Sequence, residues 1–267
     1  MALQILSDLH LETPASYDLF DIPAQAPYLV LLGDIGNVKD DGFFEFIETQ
    51  LHKFQIVFFL LGNHEPYYSN WSTAWAKIRA FSDMLNTKRQ SQSKKLGEFV
   101  FLNQTRYDLA PDITILGCTL YSQVTQAQEE RVSFGLKDFY HILDWAVEDH
   151  NAAHRADVAW LNHQVSDIVR SNPQQKIMVF THHSPVGGDS RATDPVHANS
   201  SISSAFATDL TGEVCWETAQ VCLWAFGHTH YNCDFVDERT EKRIVANQRG
   251  YYFAQAKEFD PAKVIGL

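Results

Sequence analysis

The chain has 267 residues, 45% of them hydrophobic, and a formal net charge of −12. That length supports a substantial core in one large α/β domain or two small ones, and the composition is that of an ordinary globular protein. A surface this acidic repels a polyanion at long range and argues against a general nucleic-acid binder, but not against a small anionic substrate, because bound divalent cations reverse the local sign.

The first residues read as a core strand rather than a secretory signal, and no apolar stretch is long enough to span a bilayer. Apolar runs at Leu3–Ser7, Tyr28–Leu32, Ile56–Leu61, Ile113–Leu116, Ile177–Thr181 and Val221–Phe226 read as buried strands. Helical patterns lie between them at Phe43–Phe54, at Trp71–Leu85 with Asn70 as its cap, and at Arg155–Arg170, where Val158, Leu161, Val165 and Ile168 share a face. Gln90–Lys95 reads as a solvated loop. Asp234–Val236 and Arg243–Ala246 flank a polar turn, Asp237–Lys242, and predict a β-hairpin. Strands alternating with helices point to a layered α/β sandwich. Two long connections, Tyr121–His154 and Ser184–Gln220, each follow a predicted strand, and long irregular loops in compact domains often carry function. The cysteines, Cys118, Cys215, Cys222 and Cys233, form no CxxC pair, and three fall in or beside apolar runs. They read as free thiols in a reducing compartment, so a cytoplasmic location is expected.

The chemistry sits where the apolar runs stop. Ser7-Asp8-Leu9-His10, Gly33-Asp34-Ile35-Gly36-Asn37, Gly62-Asn63-His64-Glu65, Thr181-His182-His183-Ser184-Pro185 and Gly227-His228-Thr229-His230 each close a predicted strand. In open α/β sheets ligands collect beyond the carboxyl ends of strands. Asp, Asn and His supply the hard oxygen and borderline nitrogen donors that suit Mn, Fe or Zn. The spacing in Asp8-x-His10 and His228-x-His230 fits a period-two strand end, with both side chains leaving the same side of the backbone. A lone Gly-Asn-His is a turn and a lone Asp is a cap. A whole series of such clusters at successive strand ends is a metal-site pattern.

In this order the motifs resemble those of the calcineurin-like metallophosphoesterase superfamily, over Asp8 to His230. The tail, Ile244–Tyr251 followed by Phe259-Asp260-Pro261, looks like the ending of its phosphohydrolase-like members. The resemblance implies an α/β/β/α four-layer fold, a β-sandwich flanked by helices in a single domain over 1–267, with a dimetal site at the strand C-terminal ends. It implies two divalent metal ions. Asp8, His10 and His230 would hold the first, Asn63, His182 and His228 the second, and Asp34 would bridge them. His182 is preferred over His183 because it directly follows the strand end. Catalytic roles fall to Asp34, to His64 as proton donor to the leaving oxygen, and to Glu65 in orienting the site. A hydroxide held between the ions would attack phosphorus.

Departures from the phosphoprotein phosphatases of the superfamily narrow the substrate. Gly36, Val38 and Leu61 stand where those enzymes place or neighbour arginines, and Asn37 replaces the carboxylate that would support His64. Without an arginine fork a phosphodiester or small organic phosphate is expected rather than phosphoserine. Arg191 and Arg249 are candidates for a clamp from elsewhere. The partner expected is thus a small phosphorylated substrate, not a membrane or a nucleic acid. The alternatives are a metal-dependent enzyme acting on a non-phosphoester, or a non-catalytic scaffold of the same fold. Asp194 and His197 stand in the second long connection and are candidates to line a pocket. Tyr67 and Tyr68 follow the Gly-Asn-His-Glu motif closely, and Trp71, Trp145, Trp160 and Trp224 read as core.

Overall fold

The computed structural model describes residues 2–91, 96–197 and 199–266. From the N-terminus run β1 (Ala2–Leu6), β2 (Tyr28–Leu31), α1 (Asp41–Leu51), β3 (Ile56–Phe59), α2 (Trp71–Ser91) and β4 (Glu98–Phe101). Then come β5 (Thr105–Ala110), β6 (Ile113–Cys118), α3 (Glu129–Gly135), α4 (Asp138–His141), α5 (Val147–Ser171), β7 (Lys176–Thr181), α6 (Val214–Glu217), β8 (Val221–Phe226), β9 (Cys233–Val236) and β10 (Arg243–Ala246). The short strands β11 (Gly250–Tyr251) and β12 (Ala254–Gln255) pair with each other, and β13 (Val264–Gly266) closes the chain.

One sheet has the order β13-β1-β2-β3-β4 and the other β5-β6-β7-β8-β10-β9. The inner strands of both are parallel, while β13, β5 and β9 are antiparallel edges. Alternation along the strands builds three apolar layers. Leu3, Ile5, Val30, Leu32, Phe58 and Leu60 of the first sheet meet Met178, Phe180, Leu223, Ala225 and Val245 of the second. The intervening residues of the first sheet, Leu29, Leu31, Val57 and Phe59, face Phe43, Phe46 and Ile47 of α1 and Ala74, Ile78 and Phe81 of α2. On the far side Val179, Trp224 and Phe226 face Val158, Leu161, Val165 and Ile168 of α5. The result is the expected four-layer sandwich, each fully buried aliphatic adding roughly 1.5–3 kcal/mol of transfer free energy.

The helices and hairpin follow the sequence with some corrections. Asn70 Oδ1 accepts the N–H of Thr73 at 2.8 Å and caps α2. Gln90 and Ser91 belong to α2 rather than to a loop, and residues 92–95 of that expected loop lie outside the described residues. The hairpin is β9 and β10, in the register Arg243↔Val236. The Tyr121–His154 connection is not irregular: it holds α3, α4 and the first turns of α5. Those turns escaped the apolar pattern because their buried face carries His150 and His154, which, with Asp157 just beyond, bond the chain after β6. His150 Nε2 accepts the N–H of Ser122 at 3.1 Å, and Asp157 accepts that of Leu120 at 2.8 Å. The four cysteines are free, with Cys118 and Cys215 buried and Cys222 and Cys233 half-buried. Among the described residues no helix is long and apolar enough to cross a membrane.

Candidate metal centre and active site

The expected residues gather at one end of the sandwich, past the carboxyl ends of β1, β2, β3, β7 and β8. Their backbone is not extended. Asp8 (φ 53°), His10 (φ 48°), Asp34 (φ 54°), His228 (φ 69°) and His230 (φ 50°) all occupy the left-handed region. For non-glycine residues that is uncommon, and such strain concentrates at functional sites. It corrects the period-two reading of the His-x-His and Asp-x-His spacings. The left-handed residues break the strand alternation, and His228 and His230 turn to different donor sets. Close approach of the strand ends requires glycine: a Cβ on Gly62 would stand 2.2 Å from Asp34 Oδ1 and 2.6 Å from His182 Cε1.

Two donor sets lie side by side here. Asp8, His10 and His230 form one, and Asp34, His182 and His228 the other, the donor atoms of each set lying within 4.8 Å of one another. His230 Nε2 is 3.3 Å from Asp8 Oδ1 and 3.0 Å from His10 Nε2. Asp34 lies between the sets, its Oδ2 3.9 Å from His10 Nε2 and its Oδ1 3.6 Å from His182 Nε2. Asn63 joins the second set through Oδ1, 3.0 Å from His182 Nε2. His183 is in neither. It is buried beside His228, ring centroids 4.1 Å apart, and both its nitrogens lack a partner among the described residues.

The donors fit divalent cations. His182 Nδ1 lies 2.8 Å from the carbonyl of Leu32, which can only accept, so Nδ1 carries the proton and Nε2 is bare. That bare nitrogen faces the Asn63 oxygen, a pairing of two lone pairs that a cation relieves. His228 Nε2 is buried without a hydrogen-bond partner among the described residues. Burial lowers the pKa of His182 and takes that of His228 well down, and it brings His10 to about 4, so these rings are neutral as ligands must be. Burial, and then the Glu65 and Asp8 carboxylates, push Asp34 well above the usual carboxylate range, a charge cluster that a cation neutralises. For Asp8 burial acts upward, but the hydrogen bond and charge of His230 win and hold it below that range.

A third set, His10, Asp34 and His64, overlaps the first two. His64 has its own partners, however. Nδ1 is 2.8 Å from Glu12 Oε1, and Nε2 is 3.1 Å from the hydroxyl of Tyr251. Sequence reasoning missed both. It took Asn37 as the loss of the carboxylate behind His64, but the carboxylate enters from Glu12 instead. Burial opposes ionisation of Glu12, yet the adjacent His10 ring, 3.5 Å away, and the hydrogen bond to His64 bring it to about 2. Asn37 instead binds backbone, with Nδ2 donating to the carbonyl of Tyr67 at 3.0 Å. Glu65, placed among the catalytic residues from sequence, stands behind the cluster and is fully buried. Its carboxylate accepts the N–H groups of Asp34 (3.1 Å), Ile35 (2.9 Å) and Gly62 (2.8 Å), tying the ends of β2 and β3 together. It orients the site without touching the cavity.

Over the donors opens a cavity of about 700 Å³. Asp34, Asn63, His64, His228, His230 and Tyr251 form its floor, and the two long connections form its walls. Leu136, Ile202 and Phe206 give an apolar surface, and Asp194 and His197 line it as the sequence suggested. Tyr67 lines it too, whereas Tyr68 is 60% exposed. Neither candidate arginine reaches it. Arg191 pairs with Asp189 at 2.7 Å over the Phe235 ring, and Arg249 donates to the carbonyl of Leu9 at 3.0 Å over the Phe20 ring. Of the lysines and arginines among the described residues, Lys137 alone lines the cavity. Trp71 and Trp224 are core, as read, while Trp145 and Trp160 are half-buried at its margin.

Comparison with known proteins agrees with this geometry. A protein of Acanthamoeba polyphaga mimivirus described as uncharacterised is 26% identical over 288 residues, covering 99% of this chain and 96% of its own. The crystal structure of a phosphopantetheinyl hydrolase from Mycobacterium tuberculosis superposes with a TM-score of 0.65 at 14% identity, over 94% of this chain and 89% of that one, a likeness of fold. A family model described as calcineurin-like phosphoesterase matches residues 1–232. With its donor sets at the strand ends, the chain belongs to the calcineurin-like phosphoesterase family and is a metal-dependent phosphoester hydrolase.

Proposed function

We propose that the enzyme hydrolyses a phosphodiester or another small organic phosphate ester rather than a phosphoprotein. In this reading Asp8, His10 and His230 would hold one divalent cation and Asn63, His182 and His228 a second, with Asp34 available to both. The pair, when bound, supplies Lewis acidity at the phosphoryl oxygens and a water acidified to a pKa of roughly 7. The chain's own residues then divide the work. Glu12 fixes the His64 ring through Nδ1, and Nε2 faces the site to give a proton to the leaving oxygen. Tyr251, whose hydroxyl burial keeps protonated, is a second donor at the same place. Asp34 and Glu65 set the relative positions of the β2 and β3 ends.

The observation that carries the substrate class is the cavity. It is large enough for an organic group, has apolar surface from Leu136, Ile202 and Phe206, and among the described residues offers a single lysine together with Asp138, Asp189 and Asp194. Holding a monoester dianion asks for a fork of positive charge that these walls lack. A diester carries one negative charge fewer, and its second substituent fills the cavity. The net charge of −12 repels the extended backbone of a nucleic acid and leaves a small phosphorylated molecule as the better fit. The test compares an aryl phosphodiester with the aryl monoester of the same leaving group, at one metal and one pH. The diester is expected to show the higher kcat/KM. A monoester preference of roughly tenfold, about 1.4 kcal/mol of transition-state stabilisation, overturns the assignment.

A further inference from the structure

One carboxylate outside the donor sets accepts a hydrogen bond from a donor residue within them. An amide ligates a cation through its oxygen, and turned over it presents two N–H groups to the same place. Asn63 Nδ2 donates to Asp138 Oδ1 at 2.9 Å, while Asn63 Oδ1 lies 3.0 Å from His182 Nε2. Asp138 is 3% exposed and opens α4, within the first long connection. The same Oδ1 accepts the hydroxyl of Tyr67 at 2.5 Å. Tyr67 by itself does not discriminate, since a hydroxyl both donates and accepts, and its contact with Asn63 is long at 3.4 Å. An ionised carboxylate only accepts. With Asp138 in place, a flipped Asn63 would set oxygen against oxygen at a buried site, where an unpaired polar contact is costly.

We propose that Asp138 is a positioning residue for the second cation, holding the Asn63 oxygen toward His182 and Asp34. This rests on the two-cation reading above. It also ties the cavity wall to the metal floor, because the start of α4 supplies Lys137 and Asp138 to one and steadies Asn63 in the other. Carboxylates that orient a ligand in this way typically contribute a factor of roughly 10–100 to metal affinity.

The test titrates Mn²⁺ into the metal-free chain by calorimetry, with electron paramagnetic resonance on the same samples. In Asp138→Ala one of the two equivalents is expected to weaken by roughly 10–100-fold while the other holds. At sub-saturating Mn²⁺ the coupled-pair spectrum then gives way to a single-ion signal. A second comparison does not depend on that variant folding. Asn63→Asp sets two carboxylates against each other and weakens the second equivalent, and adding Asp138→Asn restores a donor facing an acceptor and recovers it. Unchanged affinities in Asp138→Ala, or a double variant no tighter than Asn63→Asp alone, overturn the role of Asp138. A wild-type chain that takes up a single equivalent overturns the two-cation reading instead.

Discussion

Around His64 the charged partner has changed its place in the chain. The carboxylate comes from Glu12, two residues past the ligand candidate His10, and Asn37 has become a backbone clasp. The ring is held at both nitrogens by groups that are not in the two main donor sets, so its removal should slow turnover and spare metal binding. His64→Ala is expected to lower kcat by about 10²–10⁴-fold, and Glu12→Gln, which keeps a hydrogen bond but loses the charge, by about tenfold. Elemental analysis of the His64→Ala preparation should find the wild-type metal content. A His64→Ala protein that loses metal yet turns over normally per metal would contradict this role. The gathering of Asp8, His10, Asp34, Asn63, His182, His228 and His230 at one end was legible in the sequence because each belongs to a compact motif at the end of an apolar run. Glu12 lies only two residues past His10, and that closeness to a ligand motif was the one local signal for it. Asp138 and Tyr251 were not legible, because the chain brings them from remote segments and nothing local marks them as site residues.

Strand ends, rather than strands, build this site. The doubly covered strands showed as unbroken apolar runs, so β1, β2, β3, β7 and β8 were legible from composition alone. The edge strand β5, Thr105–Ala110, was not, because half its face is wet and its run includes Arg106 and Asp108. Nor was the left-handed backbone at the ligand positions, which depends on tertiary contacts such as the N–H of His228 donating to Asp8 Oδ1 at 3.1 Å. The β2 and β3 ends touch through Gly33 and Gly62, where any Cβ meets backbone or ligand atoms. Gly62→Ala is therefore expected to displace Asp34 and His182 together. Metal affinity should fall by tenfold or more, in the range of roughly 10–100-fold for a lost supporting contact, with the circular dichroism spectrum unchanged. Full retention of two metal equivalents by Gly62→Ala would show that the strand ends tolerate separation.

At the scale of the whole molecule the site is a seam. Asp8, His10, Asp34, Asn63 and His64 follow strands of one sheet, and His182, His228 and His230 follow strands of the other. Cations held there in the proposed way would bridge the two halves of the sandwich and favour the folded chain. At a metal concentration of about 100 times Kd each site contributes about 2.7 kcal/mol, taken singly. For a chain of this size that corresponds to a rise of roughly 5–10 °C in Tm over the chelated protein. Melting curves with Mn²⁺ and with a chelator check it, and coincident curves would mean that the cations do not bind the folded chain in preference to the unfolded one. A layered α/β sandwich was legible from the order of apolar runs and its four layers from the family resemblance, whereas the cavity was not, because its walls are helices and turns hidden in the long connections. The most direct measurement is an anomalous difference map from crystals loaded with Mn²⁺. The expected result is two peaks about 3.5–4 Å apart that share Asp34, one beside Asp8, His10 and His230 and the other beside Asn63, His182 and His228. A single peak, or a pair that Asp34 does not touch, would contradict the dinuclear centre.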